Sequence, residues 1–206
     1  MHRRRCELLL QPASAAVLVG GKSKRMGKNK ALVDIGRGSL VEITISKIRP
    51  FFNEIILITN KVESYAHLNI SMVSDIYKNC GPLGGIHTAL KEASYEFVFI
   101  VACDMPFIEP KFVEHILKRS EQDYDIIMPR VNDYCEPLHA LYSKKCLPAI
   151  EYCLNRGELK VASIWPYLRV KFIEQEEISQ FTDPLKAFFN VNTPVDLNKA
   201  RKILGV

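Results

Sequence analysis

Apolar stretches of strand length recur along the chain, and several run into glycine, asparagine or aspartate. Ala15–Val19 (AAVLV) stops at Gly20-Gly21 and is predicted to be a buried strand. Ala31 to Ile35 is a short apolar piece before the turn Gly36-Arg37-Gly38. Ser39 is set to cap a helix to about Ile48, with Leu40, Ile43 and Ile48 on one face and Pro50 stopping it. Glu54 to Thr59 (EIILIT) is continuously apolar, as in strands covered on both faces. A short helix is expected near Val62 to His67, then a strand from Ile70 to Ser74 that ends at Asp75. Cys80 to Gly85 (CGPLGG) opens a helix from Leu83 to Ala93. Phe97 to Ala102 (FVFIVA) is the most apolar strand, and it runs into Cys103-Asp104-Met105-Pro106. Pro110 starts a helix to about Arg119, and Asp125 to Met128 is a strand. A turn-rich piece precedes a strand at Leu138 to Tyr142. Lys144 to Asn155 and Leu159 to Leu168 read as helical, Val170 to Gln175 as a late strand. Pro194 stands in the first turn of the last helix.

Strands alternating with helices predict an α/β domain: a mostly parallel twisted sheet with helices on both faces. The 206 residues suit one domain, residues 13–206, behind an N-terminal extension of residues 1–12. In such sheets the ligand crevice lies beyond the carboxyl ends of the strands. Gly20-Gly21, Asn60, Asp75 and Asp104 all follow apolar strands directly and so should gather there.

Charge narrows the ligand. The net charge of +5 is mildly basic, which fits a small anionic substrate better than a nucleic acid, whose backbone needs a longer basic face. The cysteines at 6, 80, 103, 135, 146 and 153 form no C-x-x-C pair, so they read as reduced packing thiols in a cytoplasmic protein. Met1 to Arg5 followed by leucines imitates a signal peptide, but Glu7, Gln11 and Pro12 interrupt its apolar region. No run approaches the ~18 apolar residues of a membrane span.

Chemistry concentrates in Ala15 to Lys30, AAVLVGGKSKRMGKNK. Adjacent glycines after a strand let the backbone turn its N–H groups toward an anion, although they often make only a turn. The P-loop pattern G-x-x-x-x-G-K-[ST] fails, because Ala16 stands at its first glycine. The G-x-G-x-x-G dinucleotide spacing is missing too. What remains is G-G-K-x-x-R-M-G-x-x-K. Arg25 and Lys30 are candidate phosphate ligands, a bidentate fork and a point charge. Lys22, Lys24 and Lys28 read as solvated cations with a steering role. Asp104 is either a turn residue capping the next helix or a Mg²⁺ ligand, since Mg²⁺ is held by one or two carboxylates together with phosphates. Asp75 holds the same position after its own strand, and a turn residue is open there too.

These residues resemble the signature segments of the nucleotidyltransferases, and LVGGKSKRMGKNKAL is most similar to the molybdenum cofactor guanylyltransferases. Asp75 with GPLGG, CDMP, EPLHA and FFNVNTP resemble further family segments, in family order, from Ala15 to about Leu197. The departures are Gly20 where many relatives carry alanine, a loop one residue shorter than in some members, and the basic extension. That loop length leaves Lys28 and Lys30 both open as the phosphate contact; Lys30 is chosen because it directly precedes the apolar piece. The resemblance implies a single-domain Rossmann-like fold of the nucleotide-diphospho-sugar transferase type. It implies transfer of GMP from GTP to the terminal phosphate of molybdopterin, with release of pyrophosphate. Catalytic roles would fall to Arg25, Lys30 and Asp104. Nucleotide contacts would fall to Leu18, Gly20, Gly21, Lys30, Asp75, Gly84 and Asp104, and Asp104 would hold Mg²⁺. His139, Asn190 and Asn192 would face the acceptor, although a structural role for His139 stays open. GTP, the molybdopterin cofactor and molybdoenzymes or other cofactor-biosynthesis proteins are the implied partners. Neither nucleic acid nor membrane is implied, and the chain would be a monomer or weak oligomer. A nucleotidyltransferase using CTP or a sugar-phosphate acceptor, and a non-catalytic nucleotide-binding regulatory module, stay open at this point.

Overall fold

A computed structural model describes residues 12–20 and 29–206. The first strand, β1 (Ala13–Leu18), starts ahead of the apolar run because Ser14 is buried and hydrogen-bonded to Glu54 and to the backbone N–H of Tyr95. β2 (Glu54–Ile58), β3 (Ser71–Val73) and β4 (Phe97–Ala102) follow the predicted apolar runs closely. β5 (Ile126–Val131), β7 (His139–Ser143) and β8 (Val170–Glu174) do so as well. The turn-rich piece hides a hairpin. Asn132 and Asp133 both take positive φ and return the chain as β6 (Tyr134–Cys135), the two-residue turn that matches strand twist.

The helices are α1 (Leu40–Ile48), α2 (Gly81–Glu92), α3 (Pro110–Leu117) and α4 (Leu147–Asn155), then the short α5 (Gln175–Ile178) and α6 (Pro184–Ala187), and α7 (Pro194–Leu204). Ser39 caps α1 as expected, with Glu42 completing a capping box, and Thr193 with Asp196 does the same for α7. Val161–Tyr167, expected as α-helix, winds as a 3₁₀ helix with Pro166 inside it. Proline lacks the N–H that a regular helical turn needs there. No helix of the described residues is long and apolar enough to cross a membrane.

The sheet order is β3-β2-β1-β4-β7-β5-β6, and β8 pairs with β5. β1, β2, β3 and β4 are parallel, whereas β7 runs antiparallel to both β4 and β5. Alternation along each central strand feeds two cores. Ala15, Val17, Phe99 and Val101 face α1 and α3, and Ala16, Val98 and Ile100 face α2 and α4. Each fully buried large side chain contributes about 1.5–3 kcal/mol relative to exposure. A third, smaller cluster of Ile35, Leu40, Phe107, Val191 and Ala200 fastens α7 beside the ends of β1 and β4. The chain leaves β1 toward β2 and β3 on one side, then crosses to β4 on the other. The crevice at that switch point opens where Leu18 stands opposite Ala102.

Candidate functional site

Gly20 and Asp104 follow strands paired in register, so β1 and β4 deliver both to the same end of the sheet. The N–H of Cys103 donates to the carbonyl of Leu18 at 3.3 Å, which extends this pairing into the crevice. Asp104 is anchored in turn by its own carbonyl, which accepts from the N–H of Val191 at 2.9 Å.

Lys30 brings three distant segments together. Its Nζ donates to Asp104 Oδ2 at 2.6 Å and to Asn192 Oδ1 at 2.6 Å. The ammonium and the carboxylate are mostly shielded, at 14% and 22% side-chain exposure, so this pair is screened less than a surface ion pair. The other carboxylate oxygen, Asp104 Oδ1, is buried and has no hydrogen-bond partner among the described residues. A buried oxygen of this kind calls for a cation or a donor. No group of three or more His, Cys, Asp or Glu among the described residues is placed to hold a metal. Mg²⁺ needs no such cage, because substrate phosphates supply much of its coordination. The residues present therefore fit a Mg²⁺ ion held through Asp104.

Asn60 and Asp75 clamp each other at the ends of β2 and β3. Asn60 Nδ2 donates to Asp75 Oδ2 at 2.7 Å, and the N–H of Asp75 donates to Asn60 Oδ1 at 3.1 Å. Asp75 Oδ1, like Asp104 Oδ1, is buried and has no hydrogen-bond partner among the described residues. It lies over the first turns of α2: a Cβ on Gly85 would sit 3.7 Å from it and 3.0 Å from Leu18 Cδ2. Gly84 answers to a different neighbour, since a Cβ there would stand 2.9 Å from the carbonyl oxygen of Tyr77. The close approach between Leu18 and Asp75 thus belongs to Gly85, which the sequence reading had not singled out. Its signal was the last glycine of CGPLGG. The pairing of Asn60 with Asp75 was likewise foreshadowed only by the position of Asn60 after an apolar strand.

The acceptor-side expectations divide. Asn192 joins the Lys30 cluster, while Asn190 Nδ2 donates to the carbonyl of Phe188 at 3.1 Å in a local turn. His139 has to be corrected: it is 0% exposed and reaches no part of the crevice surface. Its ring packs against Phe99, Phe112 and Phe188, and neither nitrogen has a hydrogen-bond partner among the described residues. Burial pushes its pKa down to about 4, so it is a neutral core aromatic. The reason is register: His139 pairs with Val101, whose side chain faces the layer containing α3. Glu136, from the same segment, does approach Asp104, and burial first and the Asp104 charge second push its carboxyl up to about 7. Burial likewise raises the Cys103 thiol to about 12, as expected of a packed thiol rather than a nucleophile. Gly21, Arg25 and the alternative lysine, Lys28, lie outside the described residues. Gly20, which is described, is exposed with open space where a Cβ would stand.

Comparisons with known proteins agree with this geometry. The profile of the MobA-like NTP transferase domain matches residues 15–169. A probable molybdenum cofactor guanylyltransferase of Pelotomaculum thermopropionicum is 40% identical over 189 residues, covering 92% of each chain. One from Carboxydothermus hydrogenoformans is 36% identical over 197 residues, covering 96% of this chain and 99% of the relative. The crystal structure of molybdopterin-guanine dinucleotide biosynthesis protein A from Archaeoglobus fulgidus superposes with a TM-score of 0.82 at 30% identity, over 93% of this chain and 98% of that one. The 2-C-methyl-D-erythritol 4-phosphate cytidylyltransferase of Thermus thermophilus shares the fold at a TM-score of 0.69 and 16% identity, over 93% and 98% of the two chains. With its glycine-loop strand, its Asp104 and Lys30 at the switch point, and these relatives, the chain belongs to the MobA-like NTP transferases, in the molybdenum cofactor guanylyltransferase family.

Proposed function

We propose that this nucleotidyltransferase moves GMP from GTP to the terminal phosphate of the molybdopterin cofactor and releases pyrophosphate. One observation carries the reading. Lys30, Asp104 and Asn192, from three separate segments, converge at the switch point of a chain of this family. Lys30 supplies the positive charge for the triphosphate, beside the backbone N–H groups expected around Gly20 and Gly21 and the fork of Arg25. Asp75 and the first turns of α2 hold the nucleoside end, with the free Asp75 oxygen as acceptor for a ligand donor. Asn192, held by Lys30, would orient the attacking phosphate of the acceptor. Such transfers leave little covalent work to the protein, so positioning and charge neutralisation carry the rate. Asp104 would hold Mg²⁺, which when bound supplies Lewis-acid charge withdrawal from the phosphates. A cytoplasmic setting, where GTP is available, goes with this reading.

The test pairs a nucleotide panel with one substitution. Pyrophosphate release with molybdopterin as acceptor should be fastest with GTP among GTP, CTP, UTP and ATP. Asp104→Asn should keep the fold and lower turnover roughly a hundredfold or more, the scale of losing one preorganised charge. Added Mg²⁺ should restore part of it. Preference for CTP, or a strong fall in melting temperature with normal turnover of the folded fraction, would overturn the assignment.

A further inference from the structure

Asp104 and Asn192 hold the tip of the Lys30 side chain, and a different contact holds its backbone. Lys30 opens a single 3₁₀ turn, Lys30–Leu32, and Asn29 stands at the head of that turn. The Asn29 carbonyl accepts from the N–H of Leu32 at 3.0 Å, so Asn29 starts the turn through its main chain. An asparagine at a helix start ordinarily turns its side chain onto its own backbone. Among the described residues, Asn29 does not cap its own turn. Its Oδ1 accepts instead from the hydroxyl of Tyr65 at 3.0 Å.

Tyr65 is a firm anchor. It is 2% exposed and packs into the core on the α1 and α3 face of the sheet. Burial raises its pKa, so the hydroxyl keeps the proton that it donates. It stands in the 3₁₀ segment Val62–Leu68, between β2 and β3. Asn60, which clamps Asp75 at the nucleoside end, lies on the same connection. One connection therefore braces the site at two places, Asp75 through Asn60 and the Lys30 turn through Tyr65. The second brace bears on charge placement, because a lysine ammonium is a point charge on a flexible stem. Where the backbone of Lys30 is held decides how far that stem must search for its partners. From these contacts, and resting on the reading of Lys30 as a triphosphate contact, we infer that Tyr65 is a positioning residue for Lys30. Its hydroxyl, acting through Asn29, holds the turn that sets the ammonium beside Asp104 and Asn192.

The position of Lys30 can be followed without nucleotide. Acetylation of the full chain by an amine-reactive ester, read by peptide mass spectrometry, should be slow at Lys30, whose side chain is 14% exposed and ion-paired. Lys118 and Lys145, at 47% and 65% side-chain exposure, serve as references in the same chain. Tyr65→Phe keeps the ring and removes one donor. It should speed labelling of Lys30 about threefold or more, the scale of one lost hydrogen bond, with both references unchanged. Asn29→Ala should do the same from the other side of the bond, and the double variant should add nothing to either single change. With GTP, Tyr65→Phe should raise KM about threefold or more with kcat within about twofold, and the rise should vanish in a Lys30→Ala background. Unchanged labelling of Lys30 in Tyr65→Phe would overturn the inference. So would a parallel rise at Lys118 and Lys145, which marks general loosening, or a KM rise that persists in the Lys30→Ala background. Faster labelling of Lys30 with an unchanged KM for GTP upholds the brace and removes Lys30 from the triphosphate.

Discussion

At the scale of single residues, the structure brings Lys30 into a cluster at the crevice and buries His139 in the core. Lys30 was chosen over Lys28 for its place beside an apolar piece, and it meets Asp104 and Asn192 at 2.6 Å each. Lys30→Ala should weaken GTP binding by about 1.5–3 kcal/mol, the scale of a hydrogen bond to a charged group. Calorimetric titration checks this, and unchanged affinity would shift the role to Arg25 or Lys28. For His139 the expected signature is acid sensitivity. Its folded pKa, about 4, lies below the ordinary 6.5, so the unfolded chain takes up the proton first. The stability that a neutral His139 preserves is complete above about pH 6.5 and drains as the pH falls toward 4, by on the order of 3 kcal/mol. Glu136 acts in the opposite sense, because its raised carboxyl pKa favours the folded state as the pH falls from about 7. The informative quantity is therefore the difference between His139→Leu and wild type. Between pH 7 and pH 5 the denaturant midpoint of wild type should fall further than that of His139→Leu. Parallel slopes would mean that His139 titrates normally.

At the scale of elements, two adjacent glycines at the start of α2 meet different neighbours. A methyl group at Gly84 would press on the backbone carbonyl of Tyr77 at 2.9 Å, which has little room to yield. Gly84→Ala should cost about 1–3 kcal/mol, the usual penalty of overpacking, seen as a lower melting temperature. At Gly85 the methyl would meet the end of the Leu18 side chain at 3.0 Å, which can rotate away. Gly85→Ala should leave the melting temperature closer to wild type and raise the KM for nucleotide instead. Reversal of the two effects would assign the nucleotide contact to Gly84, as the sequence reading had it. α7 illustrates how an element reaches the site indirectly. Asp196 completes the capping box with Thr193 and also accepts from the N–H of Asn192 at 3.1 Å, so the helix cap positions the residue that meets Lys30.

At the scale of the whole molecule, the sheet begins its pairing at Ala13 opposite Phe97. Deleting residues 1–11 removes no strand pairing of the described residues. Truncated and full-length chains should therefore agree in melting temperature and turnover, and a large loss of either would make the extension part of the working enzyme. The two cores on opposite faces of β1 and β4 fix the strand ends that carry Gly20 and Asp104. A site built across several strand ends depends on this rigidity, since small misplacements there cost rate.

The sequence by itself determined what is encoded within a few residues. The apolar runs marked nearly every strand, Ser39 and Pro194 marked helix starts, and the polar residues after strands marked the rim of the crevice. Its motifs also marked the family. Only the tertiary structure decided what depends on distant pairing. Lys30 lies 74 residues from Asp104 and 162 from Asn192, and no local pattern records that their side chains meet. The antiparallel course of β7 decided the fate of His139. Its apolar neighbours were equally compatible with a strand facing the crevice or the core, and pairing with Val101 chose the core. A slip of one residue would have reversed that face, because side chains alternate along a strand and register is set by the partner strand rather than by the segment itself.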